Sequence, residues 1–138
     1  MKKRSILLVF VIALSLDAHP AFSLEISESK QPEVSREIIQ STAIEGGDEE
    51  PRLILVEFPP EYASPAHVHP VVGLNYIIEG VAESQYEDEA VTTLHAGDSY
   101  QDPANKKHLV FRNPSKTEAL RFIIACKIKK GASFMEPL

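Results

Sequence analysis

From Arg52 onward the chain reads as short apolar runs cut by turn residues. Leu53-Ile54-Leu55-Val56 is nearly continuous in its apolar character, the pattern of a strand covered on both faces. After Pro59-Pro60 come His67-Val68-His69, Asn75-Tyr76-Ile77-Ile78, Glu83-Ser84-Gln85-Tyr86, Thr92-Thr93-Leu94, Ser99-Tyr100, His108-Leu109-Val110-Phe111 and Leu120 to Cys126. Glycine, proline, asparagine and aspartate separate them. Short strands at this spacing predict an all-β sandwich or barrel of about six to eight strands. No period of 3.6 is sustained, so no long helix is expected. Upstream, residues 24–49 are polar and rich in acidic side chains, with one edge-strand candidate at Ile38 to Thr42 and a loop at Gly46-Gly47-Asp48.

The first residues follow a different pattern. Lys2, Lys3 and Arg4 precede an apolar run from Ile6 to Leu16, and Ala21-Phe22-Ser23 places small residues at the −3 and −1 positions of a cleavage site after Ser23. This three-part layout predicts a signal peptide over residues 1–23 and a periplasmic or secreted mature protein. The apolar run is far below the roughly 20 residues that span a bilayer. No cysteine follows the cleavage site to carry a lipid, so no stable membrane anchor is expected after processing. The mature chain then divides into the polar segment 24–49 and a barrel domain over 50–138.

Charge narrows the partners. The formal net charge of −6 deepens to −8 once Lys2, Lys3, Arg4 and Asp17 are removed. Basic residues cluster only at Lys106-Lys107 and across Lys127 to Lys130, which argues against nucleic acid and against an anionic membrane surface. Cys126 is the single cysteine, so no internal disulfide forms. Within an apolar strand run it reads as a small buried residue rather than a redox thiol.

The chemistry concentrates in three histidines. Side chains alternate along a strand, so His67 and His69 share one face while Val68 points the other way. Their imidazoles can converge on one ion. His108 lies in a second strand run, and three imidazoles make a half-shell for a divalent metal with positions left open. A lone His-x-His is common on surfaces; the β-prone flanks and the third histidine are what set this pair apart. His95 sits at a turn and reads as a surface residue.

These stretches resemble the paired motifs of the cupins, G-x5-H-x-H-x3,4-E-x6-G and G-x5-P-x-G-x2-H-x3-N. His67, His69 and Gly80 fit the first; Gly97, Pro103 and His108 fit the second, with Asn113 one residue late. Glu61 and Asn105 stand where the motifs have glycine, and Gly73 stands where the first has its metal-binding glutamate. Over residues 50–128 the chain resembles small secreted single-domain cupins of the quercetin-dioxygenase-like group. The resemblance implies a single-domain jelly-roll β-barrel, a divalent ion (Fe, Ni, Mn, Cu or Zn) held by His67, His69 and His108, and a homodimer. It further implies a metal-dependent dioxygenase acting on a small organic anion.

Two other readings stay open. One is a non-catalytic periplasmic protein binding a metal or a small ligand. The other is a barrel whose histidines hold no metal. Gly73, Tyr76, Tyr100 and Asp102 are the candidate pocket or ligand-supporting positions. Asp102 could also fill the missing carboxylate place, as could Glu57, Glu61 or Gln101. Gly73 itself either relieves crowding or permits a bulge, or it widens the pocket.

Overall fold

The computed structural model describes residues 33–138, so the expected signal peptide lies outside the described residues. Among the described residues ten strands form: β1 (Ser35–Ser41), β2 (Glu49–Phe58), β3 (His67–Val68), β4 (Gly73–Glu79), β5 (Val81–Tyr86), β6 (Thr92–His95), β7 (Ser99–Asp102), β8 (His108–Arg112), β9 (Leu120–Lys129) and β10 (Glu136–Pro137). They make two five-stranded antiparallel sheets, ordered β1-β2-β9-β4-β7 and β10-β3-β8-β5-β6. This is the expected all-β jelly roll. The count exceeds eight because β3 and β10 are two-residue pairings and the polar segment contributes β1.

Alternation explains what each strand buries. Ile54, Val56 and Phe58 on β2 face inward, as do Leu120, Phe122, Ile124, Cys126 and Ile128 on β9, and all are buried. The Phe58, Phe111 and Phe122 rings meet edge to face at 5.2–5.7 Å between centroids. Each buried aromatic of this size is worth about 1.5–3 kcal/mol of transfer free energy. Cys126 packs among these apolar residues, and burial pushes its thiol pKa up. β1 pairs only with β2 and is exposed along its length, an edge strand as expected. The outward face of β4 is apolar and exposed at Leu74, Tyr76 and Ile78.

The two motif glycines replaced in this chain mark left-handed turns. Glu61 has φ 61° and Asn105 φ 58°. Asparagine tolerates that region; a glutamate there costs about 1–2 kcal/mol. Gly80 is retained for a second reason. Its φ is 82°, and a Cβ there would stand 2.5 Å from the Ala119 carbonyl oxygen. Asn113, one residue late by motif spacing, still works as a clamp. Its Nδ2 donates to the carbonyls of Phe58, Pro59 and Glu118, and its Oδ1 accepts from the Ser115 amide. These bonds tie the end of β8 to the turns that lead out of β2 and into β9.

Candidate metal centre

β3 and β8 pair at one point, where His67 lies directly opposite His108. His69 follows just past the end of β3. All three imidazoles are buried, at 3%, 4% and 2% exposure. Each offers a ring nitrogen, and these nitrogens lie within 4.8 Å of one another.

Hydrogen bonds fix which nitrogens are bare. His67 Nδ1–H donates to the Pro65 carbonyl at 2.7 Å, and His69 Nδ1–H donates to the Phe134 carbonyl at 3.0 Å. A neutral imidazole has one donor and one acceptor. Both Nε2 atoms therefore carry lone pairs, and they face each other at 3.2 Å. Two acceptors at that distance repel unless a cation lies between them. Nitrogens about 2.0–2.1 Å from a shared ion stand about 2.8–3.4 Å apart in octahedral or tetrahedral geometry. The observed spacing falls in that range.

His108 completes the set. Its Nε2 shares a hydrogen bond with Ser84 Oγ at 2.9 Å, and Tyr86 stacks on its ring at 4.1 Å and 17°. Its Nδ1 is buried with no hydrogen-bond partner, and one of its two ring nitrogens lies within reach of the other histidines' nitrogens. Burial pushes the pKa of His67 below its ordinary value. Burial first, then the neighbouring His67 and His69, press His108 down to about 3. Both rings are thus neutral near pH 7, the form that ligates. The residues present fit a divalent ion.

Asp102, on β7, is 3% exposed and sits beside the imidazoles. Its Oδ1 accepts from the Tyr86 hydroxyl. Its Oδ2 stands 3.6 Å from His69 Nε2, and its Oδ1 stands 4.0 Å from His108 Nδ1. Burial and the Asp102 charge raise the hydroxyl pKa of both Tyr86 and Tyr100. Glu57, Glu61 and Gln101 are exposed and take no part.

Gly73 pairs with Asp102 across β4 and β7. It makes no bulge, since the β4 register shifts only between Ile77 and Glu79. It opens no pocket either. A Cβ at Gly73 would stand 2.5 Å from Phe134 Cζ and 3.2 Å from Asp102 Oδ2. The C-terminal segment has filled the space that a side chain at 73 would use. Tyr76 corrects the sequence reading: alternation turns Asn75 inward, so Tyr76 faces outward and is 49% exposed. Tyr100 does line the cavity.

That cavity has a volume of about 430 Å³ and adjoins the histidines. Its walls are mostly apolar, including Ile54, Val56, Phe111 and Ile124. Arg36 lines it too, its guanidinium 5.7 Å from the Phe58 ring centroid. Arg52, also lining it, is held by Glu50 and by the Lys129 and Ala132 carbonyls. Three participants escaped sequence reading: Ser84, Asn75 and Phe134. The first two were visible as polar residues at inward positions of alternating strands. Phe134 carried no signal, because it reaches the site from an irregular tail.

The Cupin domain family model matches residues 54–126. Among curated proteins none matches the chain. A cupin-like protein from Thermotoga maritima is similar in structure, with TM-score 0.60, 21% identity, and coverage of 76% of this chain and 75% of its own. An uncharacterized protein with a double-stranded β-helix domain from Klebsiella pneumoniae gives TM-score 0.58 at 22% identity, with 75% and 85% covered. DMSP lyase DddQ from Ruegeria pomeroyi gives 0.54 at 20% identity; 66% of this chain is matched, spanning only 44% of the lyase. With a family model matched over more than half its length, and with both motif stretches inside that match, this chain belongs to the cupins.

Proposed function

We propose that this chain is an exported cupin metalloenzyme that binds one divalent ion at His67, His69 and His108 and acts, in dioxygenase fashion, on a small organic anion. The observation that carries the reading is the pair of bare Nε2 atoms 3.2 Å apart, each locked by a carbonyl at its other nitrogen. A bound ion would supply a Lewis acid or redox centre at the cavity wall. The chain's own part is to hold His67 and His108 neutral, to surround the ion with mostly apolar walls, and to draw an anion inward with the positive charge of Arg36. Enzymes occur among similar folds, the lyase included, but the fold alone does not choose a reaction. The exposed Leu74, Tyr76 and Ile78 face fits a second copy of the chain, giving a homodimer.

The test is elemental analysis of protein purified from its native host, followed by oxygen-uptake measurements across a panel of small organic anions. One ion per chain with anion-dependent uptake supports the proposal. One ion without turnover replaces it with the non-catalytic binding reading. Absence of any ion, with no uptake of added metal, overturns it.

A further inference from the structure

We propose that Asp102 supplies the fourth protein ligand to the ion, so that the carboxylate missing at Gly73 has moved to the neighbouring strand. This rests on the three-histidine reading above. Three observations carry it. Gly73 and Asp102 are direct cross-strand partners, and Asp102 Oδ2 lies 3.2 Å from where a Cβ at Gly73 would stand. A carboxylate thus borders the place from which a side chain at 73 would have reached. Second, the two oxygens of Asp102 are used differently. Oδ1 accepts from Tyr86, while Oδ2 faces His69 Nε2 at 3.6 Å. That separation is too long for a hydrogen bond. His69 Nε2 is thus approached by His67 Nε2 at 3.2 Å on one side and by Asp102 Oδ2 at 3.6 Å on the other, an arrangement that a shared cation would satisfy. Third, Asp102 is 3% exposed, and no arginine or lysine side chain pairs with it among the described residues. A carboxylate buried this deeply requires a positive partner or full hydrogen bonding, and a divalent ion meets that need.

The donor set becomes three nitrogens and one oxygen, assembled from β3, its following residues, β7 and β8 rather than from β3, β4 and β8. The net charge at the ion falls from 2+ to 1+. A harder donor also shifts preference toward Mn²⁺ or Fe²⁺ relative to an all-imidazole set.

The experiment is titration of the full mature chain, stripped of metal, with Mn²⁺ and separately with Cu²⁺. Wild type is compared with Asp102→Asn, Tyr86→Phe and His67→Ala. If Asp102 ligates, Asp102→Asn loses about 100-fold in Mn²⁺ affinity and about 10-fold or less in Cu²⁺ affinity. Tyr86→Phe, which removes the hydrogen bond but keeps the carboxylate, loses less Mn²⁺ affinity than Asp102→Asn does. Equal losses for the two ions in Asp102→Asn, or no loss, overturn the inference, while a collapse in His67→Ala leaves the three-histidine site standing. If wild type binds neither ion, the underlying reading fails instead. Wild type labelled with ¹³C-aspartate covers the case in which Asp102→Asn does not fold. A carboxylate stretching band that shifts on adding Mn²⁺ supports ligation, and an unchanged infrared spectrum overturns it.

Discussion

The two ends of the barrel interior are buried alike but built from opposite chemistry. At one end Phe58, Ile77, Ala82, Leu120 and Phe122 pack with at most 3% exposure, Phe58 and Phe122 also reaching the wall of the histidine cavity. At the other, His67, His69, His108 and Asp102 are equally buried, at 2–4%. Among the described residues, four buried side-chain polar atoms have no partner; three of them, on Asn75 and His108, belong to this second end. An unpaired buried polar atom costs about 1–3 kcal/mol. The apolar end stabilises the fold, and the polar end draws on that stability to keep unsatisfied donors and acceptors in place for a ligand.

Substitutions at each end separate the two roles. Phe122→Ala should produce the largest effect, a loss of about 3–5 kcal/mol in chemical denaturation, while the fraction that stays folded still takes up metal. His67→Ala should reverse that outcome, losing metal affinity by about 100-fold or more, which corresponds to about 2.7 kcal/mol, with modest change in the stability of the metal-free protein. Gly73→Ala, at the border, should cost about 1–3 kcal/mol by overpacking against Phe134, measured by urea unfolding. The pH dependence tests the polar end without mutation. An unfolded histidine takes up its proton near about 6.5, whereas folded His108 does so only near about 3. Between these values the unfolded state binds more protons, so stability is fully present above about 6.5 and is lost as pH falls toward 3, by up to about 1.4 kcal/mol per pH unit for one such group. Metal should be released over the same descent; unchanged affinity at pH 5 and 7.5 would refute histidine ligation. The smallest effect belongs to exposed His95, where His95→Ala should change stability by less than about 0.5 kcal/mol and leave metal binding intact.

The first end was legible in sequence because period-2 alternation in β2 and β9 declares its own inside and outside. His67, His69 and His108 were legible for the same reason, reinforced by the motif spacing. Tyr76 was misplaced by one strand face, since its run Asn75-Tyr76-Ile77-Ile78 is apolar on both sides and gives no phase. Glu61 and Asn105 looked like departures from pattern. Their positive φ angles show that the backbone kept the turn while the side chain changed. What sequence could not give was long-range juxtaposition: the Tyr86 hydroxyl on Asp102, the Ser84 hydroxyl on His108, and the arrival of Phe134 from the tail. Those contacts are set by sheet closure rather than by any local pattern.

The ring of Phe134 also couples two positions that are far apart in the chain. A side chain at position 73 would place its first carbon 2.5 Å from that ring, so the ring has to shift to admit it. The carbonyl that holds His69 belongs to the main chain of the same residue, so a change of side chain at 134 leaves that bond in place. A carboxylate at 73 and a smaller residue at 134 are thus expected to be better tolerated together than the carboxylate alone.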